Sequence, residues 1–72
     1  MPKYTVINRS NSQISLIIPA YHRVNSIPLV IQPSRSVDIL PYAGSIKECR
    51  RIAYLKELSV RGLIEIIEES DG

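Results

Sequence analysis

The chain has 72 residues and a formal net charge of +2, which is enough for one domain over 1–72, too short for two, and only mildly basic for a nucleic-acid binder. A domain this small buries only about 60% of the surface its unfolded chain exposes, so a disulfide, a metal or a partner commonly supplements the core. The lone cysteine, Cys49, excludes an internal disulfide, and Cys49 with His22 falls short of the roughly four ligands of a structural zinc, which leaves a partner subunit as the expected supplement.

In chain order, the first apolar run is Tyr4 to Asn8. Arg9-Ser10-Asn11-Ser12 is polar and turn-like, because Ser and Asn side chains bond to nearby backbone. Gln13 to Ile18 then alternates, with Ile14, Leu16 and Ile18 on one face and Ser15 and Ile17 on the other. The two runs together predict a β-hairpin. Pro19 ends the second, and Ala20 to Ser26 reads as a loop or an irregular strand. Ile27 to Ile31 is the third run, in which Pro28 must sit at an edge or near the strand's start, since it has no N–H to donate. Pro33-Ser34-Arg35-Ser36 predicts a turn with proline at its first central position. Val37 to Leu40 is a fourth short strand, and Pro41-Tyr42-Ala43-Gly44 breaks the pattern.

The helix signal starts at Ser45-Ile46-Lys47-Glu48, a capping box in sequence. Residues 46 to 61 contain neither Gly nor Pro. Ile46, Cys49, Ile52 and Ala53 share a face, and Leu55 and Leu58 shift it, which predicts a bend or break near Tyr54. Gly62 supplies the left-handed residue that commonly ends a helix. Leu63 to Ile67 is a final strand, followed by an acidic tail from Glu68. The expectation is an α+β, mostly β fold: a small antiparallel sheet or open barrel of about five short strands, with one helical region at about 45–61 before the last strand.

No catalytic constellation is found. Tyr21-His22-Arg23 carries no triad pattern, and His22 reads as a solvated loop histidine. Cys49 lies on the apolar helix face and reads as a buried structural thiol. Glu65, Glu68 and Glu69 cluster at a strand end, a poor place to hold a metal or an acid–base pair. Gly44 and Gly62 are too isolated for a nucleotide loop. No cofactor is implied. Asn8-Arg9-Ser10 matches a glycosylation acceptor, but the first residues lack the apolar core of an export signal, and the match reads as chance. The lone cysteine points the same way, to a reducing compartment or assembly inside a cell. No apolar run approaches the roughly 20 residues of a membrane span.

Two features point to partners. The first is basic charge concentrated in the helical region: Lys47, Arg50, Arg51, Lys56 and Arg61 against Glu48 and Glu57. These side chains are candidate phosphate contacts, with Tyr21, Tyr42 and Tyr54 available to stack on bases. No nucleic-acid-binding signature accompanies them, and an ordinary solvated helix face explains them as well. The second is apolar excess on both strand faces. With Ile14, Leu16, Ile18, Ile27, Leu29, Ile31, Ile64 and Ile66 turned to the core, period 2 places Ile17, Val30, Leu63 and Ile67 on the opposite side. Those four are the candidate partner interface, unless the sheet closes on itself as a sandwich with the helix as lid.

Several stretches carry a family likeness. They are Asn8-Arg9-Ser10, Ile27-Pro28-Leu29-Val30-Ile31-Gln32-Pro33, Ser36-Val37-Asp38-Ile39 and Leu58-Ser59-Val60-Arg61-Gly62-Leu63-Ile64-Glu65-Ile66. In this order the chain resembles small accessory structural proteins of tailed bacteriophages. The glycine that follows the proline in that pattern is absent, since Ser34-Arg35 follows Pro33. The resemblance implies a virion component, such as a capsid decoration or a neck or tail subunit, assembled in the host cytoplasm and bound to copies of itself or to a larger virion protein. It implies no catalytic residues. A nucleic-acid-binding or regulatory module using the basic helix is the alternative, and a small inhibitor of a host enzyme would fit the length equally.

Overall fold

A computed structural model describes residues 2–18 and 27–69. The elements run β1 (Lys3–Asn8), β2 (Ile14–Ile18), β3 (Ile27–Ile31), β4 (Ser36–Asp38), α1 (Leu40–Ala43), α2 (Ile46–Arg50), α3 (Ala53–Val60) and β5 (Ile64–Glu69). The fold is α+β and mostly β, as the composition predicts. The described strands form two antiparallel sheets, with no closed barrel among them. One sheet has the order β4-β1-β5, the other pairs β2 with β3.

The expected β1–β2 hairpin does not form, and both flanks of β1 show why. On one side Val6 pairs with Val37 of β4. On the other, Val6 pairs with Ile66 of β5. Backbone bonds carry both ladders beyond the strand, Arg9 N–H to the Leu63 carbonyl and Ser34 N–H to the Asn8 carbonyl. No edge of β1 is left for β2. The polar segment after Asn8 therefore carries the chain from one sheet to the other. β5 extends through Glu68 and Glu69, which lie opposite Tyr4 and Lys3, so the acidic residues begin inside a strand and not in a frayed tail.

Alternation decides the buried side of each strand. Tyr4, Val6 and Asn8 of β1 are buried, as are Ile14, Leu16 and Ile18 of β2 and Ile31 of β3. They join Ile39, Ala43, Cys49, Ile52, Leu55, Leu58 and Ile64 in one apolar cluster, Asn8 excepted. Asn8 is a fully buried polar side chain with every bonding group satisfied. Its Nδ2 donates to the carbonyls of Ser12 and Ile31, each at 2.8 Å. Its Oδ1 accepts from the Ser10 N–H at 2.8 Å and the Ser10 hydroxyl at 2.7 Å. One amide thus shapes the crossover and ties β1 of the larger sheet to β3 of the smaller.

The helical region differs from the single predicted element in three ways. Val37 to Leu40 is not all strand: β4 stops at Asp38, and a short helix α1 begins at Leu40 with Pro41 in its first turn, where a missing N–H costs nothing. Asp38 Oδ1 makes this switch by accepting from the N–H groups of Tyr4 and Leu40. The expected break falls at Arg51 and Ile52, two to three residues before Tyr54. Cys49, Ile52, Leu55 and Leu58 recur every third residue, and each such step drifts about 60° around a straight α-helix. A break between Cys49 and Leu55 lets all four reach one core. Finally, Ser45 does cap α2 through its hydroxyl on the Glu48 N–H at 3.2 Å, but the Glu48 carboxylate pairs with Arg51, leaving the box half-made.

Candidate interaction surface

The register of β2 and β3 sets Ser15 opposite Val30 and Ile17 opposite Pro28. Ile17 and Val30 are therefore diagonal neighbours on the face away from the core, close enough for their side chains to share a surface. Ile17 is 67% exposed and Val30 56%. Pro28, also exposed, lies directly across from Ile17. Two of the four residues expected at an interface thus form one apolar patch. Pro28 completes it, and alternation along Ile27–Ile31 already placed it on that face.

Ile67 and Leu63 do not join the patch. Ile67 is 39% exposed on the outer face of the other sheet, opposite Thr5 and diagonal to half-buried Ile7. The Arg9–Glu65 ion pair, 2.9 Å between its charged atoms, involves a residue of the same strand face. Leu63 corrects the alternation outright: it precedes β5, is half-buried, and packs against the core. Its N–H bonds the Leu58 carbonyl and the Gly62 N–H bonds the Ser59 carbonyl, the bond pair of a Schellman cap whose last residue turns back onto the helix. Gly62 takes the left-handed φ of 77° that this cap requires.

The basic helical side chains are largely committed to carboxylates. Arg50 reaches Glu68 of β5 through Nε at 2.6 Å and Nη2 at 3.2 Å. This bonding holds the Glu68 carboxyl below its ordinary range. Arg51 pairs with Glu48 at 3.3 Å and Arg61 with Glu57 at 2.9 Å. Lys47 and Lys56 are exposed and enter no ion pair among the described residues. The break at Arg51 and Ile52 further divides the basic residues between two helices. Tyr42 and Tyr54 are exposed; Tyr21 and His22 lie outside the described residues. Val60, at 87% exposure, was not anticipated, and nothing nearby assigns it a partner role.

Cys49 is fully buried, and burial, reinforced by the charge of Asp38, pushes its thiol up to about 11. It is held as the unreactive thiol. Glu65 and Glu68 point to opposite sides of β5 and each bonds its own arginine, so the acidic cluster is not one site. Among the described residues no group of His, Cys, Asp and Glu is placed to hold a metal, and no helix is long and apolar enough to cross a membrane. An open cleft of about 400 Å³ is lined by Pro2, Lys3, Asp38, Leu40, Pro41 and Gly44. Its carboxylate, Asp38, already accepts two backbone N–H groups. Comparison with protein-family models, with curated proteins and with solved structures gave no match.

Proposed function

We propose that the protein is a non-enzymatic structural or assembly subunit that binds copies of itself or a larger protein through the outer face of β2 and β3. The observation that carries this reading is the exposed pair Ile17 and Val30, with Pro28 between them in the register. These two β-branched side chains are still more than half exposed, so a partner that buries them fully gains roughly 1–2 kcal/mol from each. The resemblance to tailed-phage accessory proteins favours a virion as the setting, with assembly in the host cytoplasm. A phosphate-binding role for Lys47, Arg50, Arg51 and Lys56 is the weaker reading, because the arginines are already paired.

The test replaces Ile17 and Val30 together by Ser and measures association by sedimentation and folding by circular dichroism. Association should fall while the thermal transition stays within a few degrees of the parent. It should also persist or strengthen as salt rises, unlike phosphate-driven binding. Unchanged association in the double variant, or its steep loss with salt in the parent, refutes the reading.

A further inference from the structure

β-Strand edges are usually guarded against other chains by charge, proline or shortness. Here β1 is central, and β4 has three residues and ends on Asp38. β5 carries Glu65, Glu68 and Glu69. β3 carries Pro28, and its missing N–H fixes the phase of the ladder. The Ile17–Pro28 pair cannot exchange two bonds, so Ile14–Ile31, Leu16–Leu29 and Ile18–Ile27 are the doubly bonded pairs. Pro28 therefore faces the free side of β3 and blunts it.

By the same phase, the N–H and C=O groups of Ser15 and Ile17 face the free side of β2. Among the described residues no backbone bond from β2 reaches any element except β3. β2 reads Ile-Ser-Leu-Ile-Ile, with no charge, proline or glycine. It is the one strand with an open edge and no guard among those described.

We propose that this edge pairs antiparallel with β2 of a second copy, about a twofold axis at Leu16, to make one sheet of order β3-β2-β2-β3. The register is self-complementary. Ser15 and Ile17 of each copy oppose Ile17 and Ser15 of the other as doubly bonded pairs, Leu16 meets Leu16, and Ile14 meets Ile18. No charge meets a like charge, and both copies of the Ile17–Val30 patch come onto one face. The proposal rests on the reading of β2 and β3 as a contact surface and narrows its occupant to this chain itself. A single strand pair is a small contact, so dimerisation should be weak and concentration-dependent.

Sedimentation of the full chain from about 10 μM to about 1 mM should show a monomer–dimer equilibrium. Ser15→Pro removes an outward N–H without touching the β2–β3 ladder, and should abolish the dimer in a folded monomer. A second pair of variants, in a Cys49→Ala background, covers the case in which that proline unfolds the chain. An oxidised mixture of Ser15→Cys and Ile17→Cys chains should cross-link, while either alone should not, since only positions 15 and 17 come face to face. A chain monomeric throughout, a folded Ser15→Pro variant that still dimerises, or cross-linking of either cysteine variant with itself overturns the strand pairing. If Ser15→Pro dimerises but the Ile17→Ser, Val30→Ser variant does not, the contact is face to face. The function proposed above then stands while this inference falls.

Discussion

Replacing Asn8 by Ala removes the amide that joins the two sheets. Four bonds disappear: two donated to the Ser12 and Ile31 carbonyls and two accepted from Ser10. The Ser10 and Ser12 groups lie toward the surface, where water can replace part of the loss. The bond to Ile31 is buried; its carbonyl keeps the ladder bond from Ile14, so losing the amide there costs a net hydrogen bond, about 0.5–1.5 kcal/mol. With part of the loss at Ser10 and Ser12 and a small cavity added, the expected loss is about 1–3 kcal/mol. A chain of this length holds only about 4–11 kcal/mol in all, so the variant should lose a large share of its stability. Asn8→Asp sharpens the test because its shape is the same. It keeps the acceptor for Ser10 but turns a second oxygen toward two carbonyls. Burial should raise that carboxyl's pKa in the folded state above its unfolded value. The folded form then favours the protonated acid, and stability is lost as pH rises through the folded value. Asn8→Asp should therefore be worse than Asn8→Ala at pH 7 and recover relative to the parent near pH 4.5. Urea unfolding followed by far-ultraviolet circular dichroism measures all three proteins at both pH values. A loss below about 0.5 kcal/mol for Asn8→Ala, or a pH-independent deficit for Asn8→Asp, would refute the bridging role.

Three further outcomes are expected. Gly62→Ala should cost about 1–2 kcal/mol, wholly from its left-handed backbone, because a Cβ there meets no atom within 4 Å; urea midpoints measure it. Ser34 holds φ at 65° in the turn closed by Arg35 N–H on the Gln32 carbonyl, so Ser34→Gly should stabilise by up to about 1 kcal/mol, and a shift in the same direction as Gly62→Ala would contradict both arguments. For Cys49, the folded thiol titrates near 11 against an ordinary value of 9.0, so its contribution is complete below pH 9 and is lost as pH rises through 11. The stability gap between the parent and Cys49→Ala should narrow over that window, and thiol reagents should label the native protein far more slowly than the unfolded chain; rapid native labelling would disprove the burial.

Local rules were readable from the chain where one residue type answers one backbone demand. Ser45 caps a helix, Gly62 ends one, Pro33 opens a turn, and Ile14, Leu16 and Ile18 alternate into the core. What alternation could not supply was the partner of each strand. β1 is equally apolar whether β2 or β5 lies beside it, and the choice depends on long-range pairings that no local pattern encodes. The sequence places Asn8 at the end of the first apolar run but does not reveal its bridging role, because the burial of an amide depends on which carbonyls surround it. Leu63 was misplaced for a related reason. Counting by twos from Ile64 puts it outside, but it belongs to the helix cap, whose geometry sends it inward. Half of the candidate surface was legible, since Ile17 and Val30 needed only the period of their own strands. The commitment of the arginines was not, because Glu68 approaches Arg50 only after β5 has docked.

The place of β1 at the centre of its sheet has a consequence for how the chain is made. β1 is the first of the described strands; β4 at residues 36–38 pairs one of its edges, but β5, the last element, pairs the other, and Lys3 finds its partner only at Glu69. During synthesis the second edge of β1 stays open until residues 64–69 have emerged, whereas β2 and β3 can pair as soon as both are made. Ordered in time, the smaller sheet comes first and the larger one closes over it at the end. Until β5 arrives the emerging polypeptide therefore carries an apolar strand with one edge unpaired, the period in which such chains are most open to capture by chaperones or by one another.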